Sequence, residues 1–503
     1  MITNITEFLD EAAANFSEKT AFADDKTQLS FLDVDRISRQ VATSLIARGC
    51  GREPVLVYME KSPYMIAAFF GVVRAGGYYI PLDDRMPQER IRRISDTCKS
   101  SRMIVDESTR DKAAQIKPDG DILYINEISG KGALIDDEAL LSVRHKALDT
   151  DPVYVVFTSG STGVPKGVAA CHRSVIDYVT QLTYELGFDS DTVFGNQTPL
   201  YFDAPLKEIF SGLICGATTY LIPTELFSMP KLLVDYLNDK KINTVCWVVS
   251  ALVLISTFRT FDEVKPLYLK KVVFGSEVFP LRQYRIWREA LPDAEFINLY
   301  GPTEATGMSC FYRCSPDGEA EKDHIPIGRP FKNTEVLLIK EDGSAASAGE
   351  IGEIYLRGTC VTLGYYNNPE ATAKAFVQNP LNSLYPEIVY RTGDMAYLDE
   401  RGDLVFASRA DNQIKHMGHR IELGDIEAAA SEIEEVKMCA CIWDDRRKII
   451  GLYYVGDIDR ASLMEKLGDL LPTYMIPNKL RQLDEMPLTE NGKLDRKTLA
   501  GMK

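Results

Sequence analysis

Val153-Tyr-Val-Val-Phe157 runs straight into Thr158-Ser-Gly-Ser-Thr-Gly-Val-Pro-Lys-Gly167. An apolar run of strand formers ends in a loop of three glycines, four hydroxyl residues and one lysine. Glycines let successive backbone N–H groups curl around phosphate oxygens, and Thr158, Ser159, Ser161 and Thr162 add hydroxyl donors. Gly160 and Gly163 supply the freedom, and Lys166 the positive charge. Most Gly/Ser runs are plain surface loops; the buried strand in front and the lysine inside argue against that here. The spacing is not that of a Walker loop, which puts its lysine directly after a glycine and before a hydroxyl residue.

Outward from this loop the chain alternates strand-like and helical segments. Val55–Met59 reads as a strand, Pro63–Ala75 as a helix and Tyr78–Pro81 as the next strand, with Met103–Val105 and Val272–Phe274 as further short buried strands. Such alternation predicts an α/β fold with parallel-rich sheets covered by helices. After about residue 340, Glu353–Arg357 and Met395–Leu398 read as antiparallel strands broken by Asp-Gly and Arg-Gly turns, a small antiparallel subdomain. A polar stretch at Ser408–Asp411 precedes a new unit with a helix over Leu423–Glu434, strands over Cys439–Trp443 and Ile449–Val455, and a helix over Arg460–Leu471. The expected division is a core domain over 1–408 and a small α+β domain over 409–503.

With 503 residues the chain exceeds one hydrophobic core. A formal net charge of −16 with no long basic run argues against nucleic-acid and anionic-membrane partners. The N-terminus lacks the basic-then-apolar order of a signal peptide, and no apolar run is long enough to span a bilayer. The ten cysteines are scattered without C-x-x-C spacing, so they read as reduced thiols and the protein as cytoplasmic.

Thr158–Gly167 resembles the signature of the adenylate-forming superfamily: acyl-CoA synthetases, firefly luciferase and the adenylation domains of nonribosomal peptide synthetases. Further segments match in order. Ala75-Gly-Gly-Tyr-Tyr-Ile-Pro-Leu-Asp83 comes first, then Asn298-Leu-Tyr-Gly-Pro-Thr-Glu304, Gly352-Glu353, Gly364-Tyr-Tyr366 and Tyr390-Arg-Thr-Gly-Asp394. Gln413 to Gly424 and Asn491-Gly-Lys-Leu-Asp-Arg496 complete the series. The resemblance implies ATP and Mg²⁺ as cofactors, and a small mobile domain that turns about a hinge at Asp411.

It also implies roles. Thr158, Ser159, Gly160, Ser161, Thr162, Gly163 and Lys166 would hold phosphates. Asn298, Tyr300 and Gly301 would line the nucleotide site, with Tyr300 facing adenine. Asp394 would accept bonds from the ribose hydroxyls, with Arg409 beside it. Glu304 would hold Mg²⁺ and Thr303 would touch the α-phosphate. Lys493, a compact cation on a flexible stem, would bridge carboxylate and α-phosphate as charge develops. Gly418 would lead the face that admits a thiol. One departure stands out: Ala407-Ser408 replaces the commoner glycine before the arginine.

Phe202-Asp-Ala-Pro-Leu-Lys-Glu-Ile-Phe210 resembles the stretch in which amino-acid-activating members pair an aspartate with the substrate ammonium, here Asp203. By the same alignment Ala204, Lys207, Ser250, Val272, Phe274, Leu299, Gly307 and Met308 would line the side-chain pocket. Bulky Phe274, Leu299 and Met308 suit a small side chain, and Phe274-Gly-Ser-Glu-Val-Phe-Pro280 resembles D-alanine–carrier-protein ligases. Alanine of either hand is therefore the expected substrate. An acidic amino acid is the alternative if Lys207 points inward; an outward Lys207 is uninformative. A non-amino acid for an acid–CoA ligase is the other alternative. No carrier domain or L-G-G-x-S attachment sequence follows Arg496, so the expected partner is a separate phosphopantetheinyl carrier protein.

Overall fold

A computed structural model describes residues 2–117, 120–130, 132–158, 165–316, 318, 321, 323–410, 413–445, 447–487 and 494–502. The chain divides into two compact units, neither contiguous in sequence. The first takes residues 1–84, 98–156 and 167–410, and the second 85–97, 157–166 and 411–503.

The expected strand before the glycine loop is Pro152–Thr158. It lies in a six-stranded sheet with Asp121–Tyr124, Arg102–Val105, Pro54–Met59, Tyr78–Asp83 and Lys166–Cys171, in that spatial order around it. Pro54–Met59 pairs in parallel with both neighbours, and Val55 to Met59 are all buried, as a helix-covered sheet demands. Helix Pro63–Arg74 follows from a Ser62 N-cap, with proline in its first turn where the missing N–H costs no bond.

A nine-stranded sheet carries three of the expected lining residues, Val272, Phe274 and Leu299. Thr244–Val248, Lys271–Gly275 and Glu295–Tyr300 run parallel at its centre, and Cys310–Arg313 closes antiparallel on Glu295–Tyr300. Alternation along Glu295–Tyr300 divides the interior. Ile297 and Leu299 join a core with helices Thr6–Asn15, Phe31–Ala47, Pro63–Arg74, His172–Leu186 and Leu206–Cys215. Phe296 joins a second core built on Trp247 and Trp287. Tyr300, at the strand's end, enters a third with Ile354, Leu356 and Tyr390 of an antiparallel five-stranded sheet. That sheet pairs Gly352–Gly358 with Ile388–Leu398, and Leu404–Arg409 pairs with the latter.

In the second unit Val436–Asp444 pairs antiparallel with Ile449–Gly456, and Lys479–Gln482 adds in parallel. Helices Leu423–Ser431 and Arg460–Leu470 bury Ile426, Ala430, Leu463 and Leu467 in its core. Residues 85–97 belong to the same unit, where Arg93 bonds Glu432 at 2.7 Å. All ten cysteines are free thiols. Among the described residues no helix is long and apolar enough to cross a membrane.

Candidate active site

Leu206–Cys215 is a helix because its apolar residues recur at helical spacing, and Gly216 ends it in a left-handed conformation that glycine adopts freely. Asp203 precedes its first turn. The N-cap is Pro205, and Asp203 contributes only its carbonyl, which accepts from the N–H of Leu206 at 3.1 Å. Its carboxylate is free to turn inward, where Thr303 hydrogen-bonds it. Burial pushes this carboxyl above its ordinary range, and the Lys207 ammonium and the Thr303 bond oppose that rise. Asp203 is thus neither a helix cap nor an ordinary surface acid.

Lys207 points inward and is only 4% exposed. It lines a narrow cavity of about 10 Å³, room for one water, with Ala204, Cys246, Phe274, Leu299 and Met308. Trp247, Val248, Gly275 and Ser276 complete it at the carboxyl ends of the parallel strands, where open α/β sheets place their ligands. Among the described residues no carboxylate lies within ion-pair distance of its ammonium; Asp203 and Glu208 act on it from further off.

Three expected lining residues lie apart from this cavity. Val272 is fully buried in the second core, its cross-strand neighbours being Val245 and Phe296, and Val273 is the one that faces the cavity. A one-residue slip in a strand moves a side chain to the other face, and motif alignment does not resolve a single residue there. Ser250 lies in the first turn of helix Val249–Thr257, its N–H donating to Glu277 at 2.8 Å. Gly307 packs on the Tyr178 ring; at φ +103° a side chain would be strained, and a Cβ would sit 3.0 Å from the ring. Gly301 is glycine for a similar reason: a Cβ would lie 2.0 Å from the Gly307 carbonyl oxygen.

The nucleotide residues form a second cluster. Tyr300 donates its hydroxyl to Asp394 Oδ2 at 2.6 Å, and Arg409 donates to Asp394 Oδ1 at 2.6 Å. Thr392 fixes the backbone by accepting the Asp394 N–H at 3.0 Å. Each carboxylate oxygen keeps a second acceptor position, so Asp394, 2% exposed, can still bind ribose hydroxyls. Asn298 has a structural bond, donating to the Pro326 carbonyl at 2.8 Å.

Thr303 and Glu304 sit in one turn of 3-10 helix. Glu304 is 2% exposed and its Oε1 accepts the Tyr365 hydroxyl at 2.7 Å. Tyr365 is held by its neighbours: the Tyr366 N–H donates to Gly167 and the Leu363 N–H to Ala169, tying this segment to the strand after the glycine loop. Sequence reasoning quoted Gly364-Tyr-Tyr366 without assigning Tyr365; a tyrosine pair after glycine was the available signal. Cys246, Trp247 and Val273 were missed because their strand faces needed the register.

Gly418 forms, with Met417, a two-residue turn between strands Gln413–His416 and His419–Glu422, both at positive φ. Thr158 and Lys166 end the strands that flank the glycine loop. Ser159, Gly160, Ser161, Thr162, Gly163, Asp411 and Lys493 lie outside the described residues.

The residues singled out from the sequence thus form two arrangements, a buried Lys207 near Asp203 and a buried Tyr300–Asp394–Arg409 cluster. The family model for AMP-binding enzymes matches residues 9–366, and the chain belongs to that family. Zwittermicin A synthase ZmaJ of Bacillus cereus is 32% identical over 516 residues, covering 99% of this chain and 95% of that protein. Three plipastatin synthase subunits of Bacillus subtilis are each 31% identical, over 493 to 500 residues and 97% to 98% of this chain. The chain spans only 13% to 19% of the length of those relatives. In fold it is similar to the Vibrio cholerae adenylation domain AlmE, solved with glycyl-adenosine-5'-phosphate: TM-score 0.84, 20% identity, 100% of this chain and 98% of that one.

Proposed function

We propose that the chain activates an amino acid with an acidic side chain to aminoacyl-AMP, and then passes it to the phosphopantetheine thiol of a separate carrier protein. The observation that carries this reading is the inward Lys207, buried in the cavity whose neighbour is Asp203. A buried ammonium calls for an anionic partner, and a substrate carboxylate supplies one. Alanine, the side chain favoured by Phe274, Leu299 and Met308 alone, would put no anion in the cavity beside Lys207 and leave it only the more distant Asp203 and Glu208.

In this reading Asp203 pairs with the α-ammonium and Thr303 fixes the aspartate. The substrate's α-carboxylate attacks the α-phosphorus of ATP. A carboxylate–phosphate anhydride forms, the bond between α-phosphorus and bridging oxygen breaks, and pyrophosphate leaves with the electron pair. Tyr300, Asp394 and Arg409 orient the adenosine. The glycine loop from Thr158 to Gly163, with Lys166, holds phosphates, and Lys493 neutralises charge between the reacting carboxylate and the α-phosphate.

Mg²⁺ fits a site with a single buried carboxylate, because this ion keeps waters and phosphate oxygens as its other ligands. Tyr365 orients the Glu304 carboxylate through Oε1, and among the described residues no cluster of three candidate metal ligands exists. Glu304 would hold the ion, which would polarise the phosphate oxygens. Domains dividing near residue 408, a hinge at Asp411, a thiol face led by Gly418 and a cytoplasmic location belong to the same reading.

Pyrophosphate exchange with the twenty L-amino acids and D-alanine tests it. Aspartate or glutamate should give the highest kcat/KM. Lys207→Met should cut that value about 10- to 100-fold, the scale of one charge-assisted bond. A wild-type substrate profile in this variant, or highest exchange with alanine, would refute the acidic side chain.

A further inference from the structure

Directly after Lys207 in the helix, Glu208 is buried more deeply still, at 1% exposure. Neither carboxylate oxygen has a hydrogen bond of good geometry among the described residues. Asn196 approaches it, yet the oxygen and nitrogen of that amide are likewise left unmatched. The charged and titratable groups around Glu208 are few. They are Lys207 on its own helix, Lys61 ahead of helix Pro63–Arg74, Cys246 on strand Thr244–Val248 and Tyr178 on helix His172–Leu186. Lys61 is drawn toward the Asn196 and Gln197 carbonyls, at 3.3 and 3.2 Å. Lys207 and Cys246 both line the substrate cavity, and Glu208 lies behind that wall.

A buried carboxyl with unmatched oxygens is held ionised only by nearby positive charge. Burial raises the Glu208 carboxyl to about 7, and Lys207 foremost and Lys61 restrain that rise. Lys207 is therefore claimed by the fixed carboxylates of Asp203 and Glu208 and by any anion in the cavity.

We propose that Glu208 is a specificity-positioning residue that exchanges charge with the substrate: when an acidic side chain takes the Lys207 ammonium, Glu208 takes a proton from solvent. Without that proton, two carboxylates would share one ammonium in a site that excludes water, which is strongly unfavourable. The sign follows. Above the Glu208 value the free enzyme holds an ionised Glu208, so acidic-substrate binding costs a proton uptake and weakens as pH rises. Below it Glu208 is already protonated and the dependence vanishes. Neutral side chains leave the Lys207–Glu208 interaction in place and show no such effect. The inference rests on the acidic-substrate reading above.

The test is calorimetry of aspartate or glutamate binding at pH 7.5 to 8 in two buffers of different ionisation enthalpy, beside pyrophosphate exchange from pH 6 to 8.5. The wild type should take up a substantial fraction of a proton per acidic amino acid bound. Its kcat/KM for that substrate should fall toward tenfold per pH unit above about 7, the limit for one linked proton. Glu208→Gln, which keeps the shape and removes the charge, should abolish the uptake and flatten the profile. Uptake that persists in Glu208→Gln, or is absent from the wild type, overturns the proposal while the substrate reading stands. If Glu208→Gln is insoluble, the wild-type proton count alone decides. No exchange with either acidic amino acid at any pH overturns both.

Discussion

Asp203→Asn should lower kcat/KM for amino-acid-dependent pyrophosphate exchange by roughly 10²- to 10⁴-fold while ATP binding stays intact. The amide preserves side-chain volume and can still bond Thr303, so the change isolates the charge facing the substrate ammonium. Removing one partner of a desolvated ion pair costs about 3–5 kcal/mol, and each 1.36 kcal/mol is tenfold in rate. The effect on stability runs the other way. The folded-state carboxyl titrates above its ordinary value, so Asp203 withdraws stability progressively as pH rises from the ordinary carboxylate range through that raised value. Asp203→Asn should therefore melt no lower than wild type at pH 7, with any advantage shrinking in acid. Exchange within twofold of wild type would refute Asp203 as the ammonium partner, and a large fall in melting temperature would assign the activity loss to folding.

Lys493→Ala should reduce adenylate formation about 100-fold or more, the scale on which one preorganised charge contact acts in a transition state. Lys493→Arg should recover little, because a planar fork cannot replace a compact point charge between two oxygens of different groups. Nucleotide affinity in the absence of amino acid should change far less than the exchange rate, since the charge Lys493 meets develops during reaction. Unaltered exchange in Lys493→Ala would remove this lysine from the chemistry.

These two residues were legible to different depths. Lys493 is known from its string, Asn491-Gly-Lys-Leu-Asp-Arg496, and from the chemistry of an ammonium between anions. Asp203 was legible as a type and a position. That its carboxylate turns away from the helix terminus to meet Thr303, a hundred residues on, is a fact of packing.

Most of the sheet framework could be read from the chain, because a strand covered on both faces must be apolar throughout, and Val55–Met59 and Val153–Phe157 are. The glycine loop, Asp394 and the carboxylate in Pro302-Thr-Glu304 stood out because each expected chemistry demands a residue type beside a glycine or a turn. Boundaries drifted by a few residues where polar ends fray, as at Leu423–Ser431, expected to reach Glu434.

What only tertiary structure decided was direction. From sequence, Lys207 could have spread its stem outward over the surface or turned inward. In the fold it turns inward, to a cavity lined also by residues of strands Thr244–Val248 and Lys271–Gly275, which is the condition on which the acidic alternative rested. The exchange of Val272 for Val273 has the same origin. Local chemistry is written in residue types at fixed spacing, whereas the face a side chain occupies depends on register and on neighbours far away in the chain.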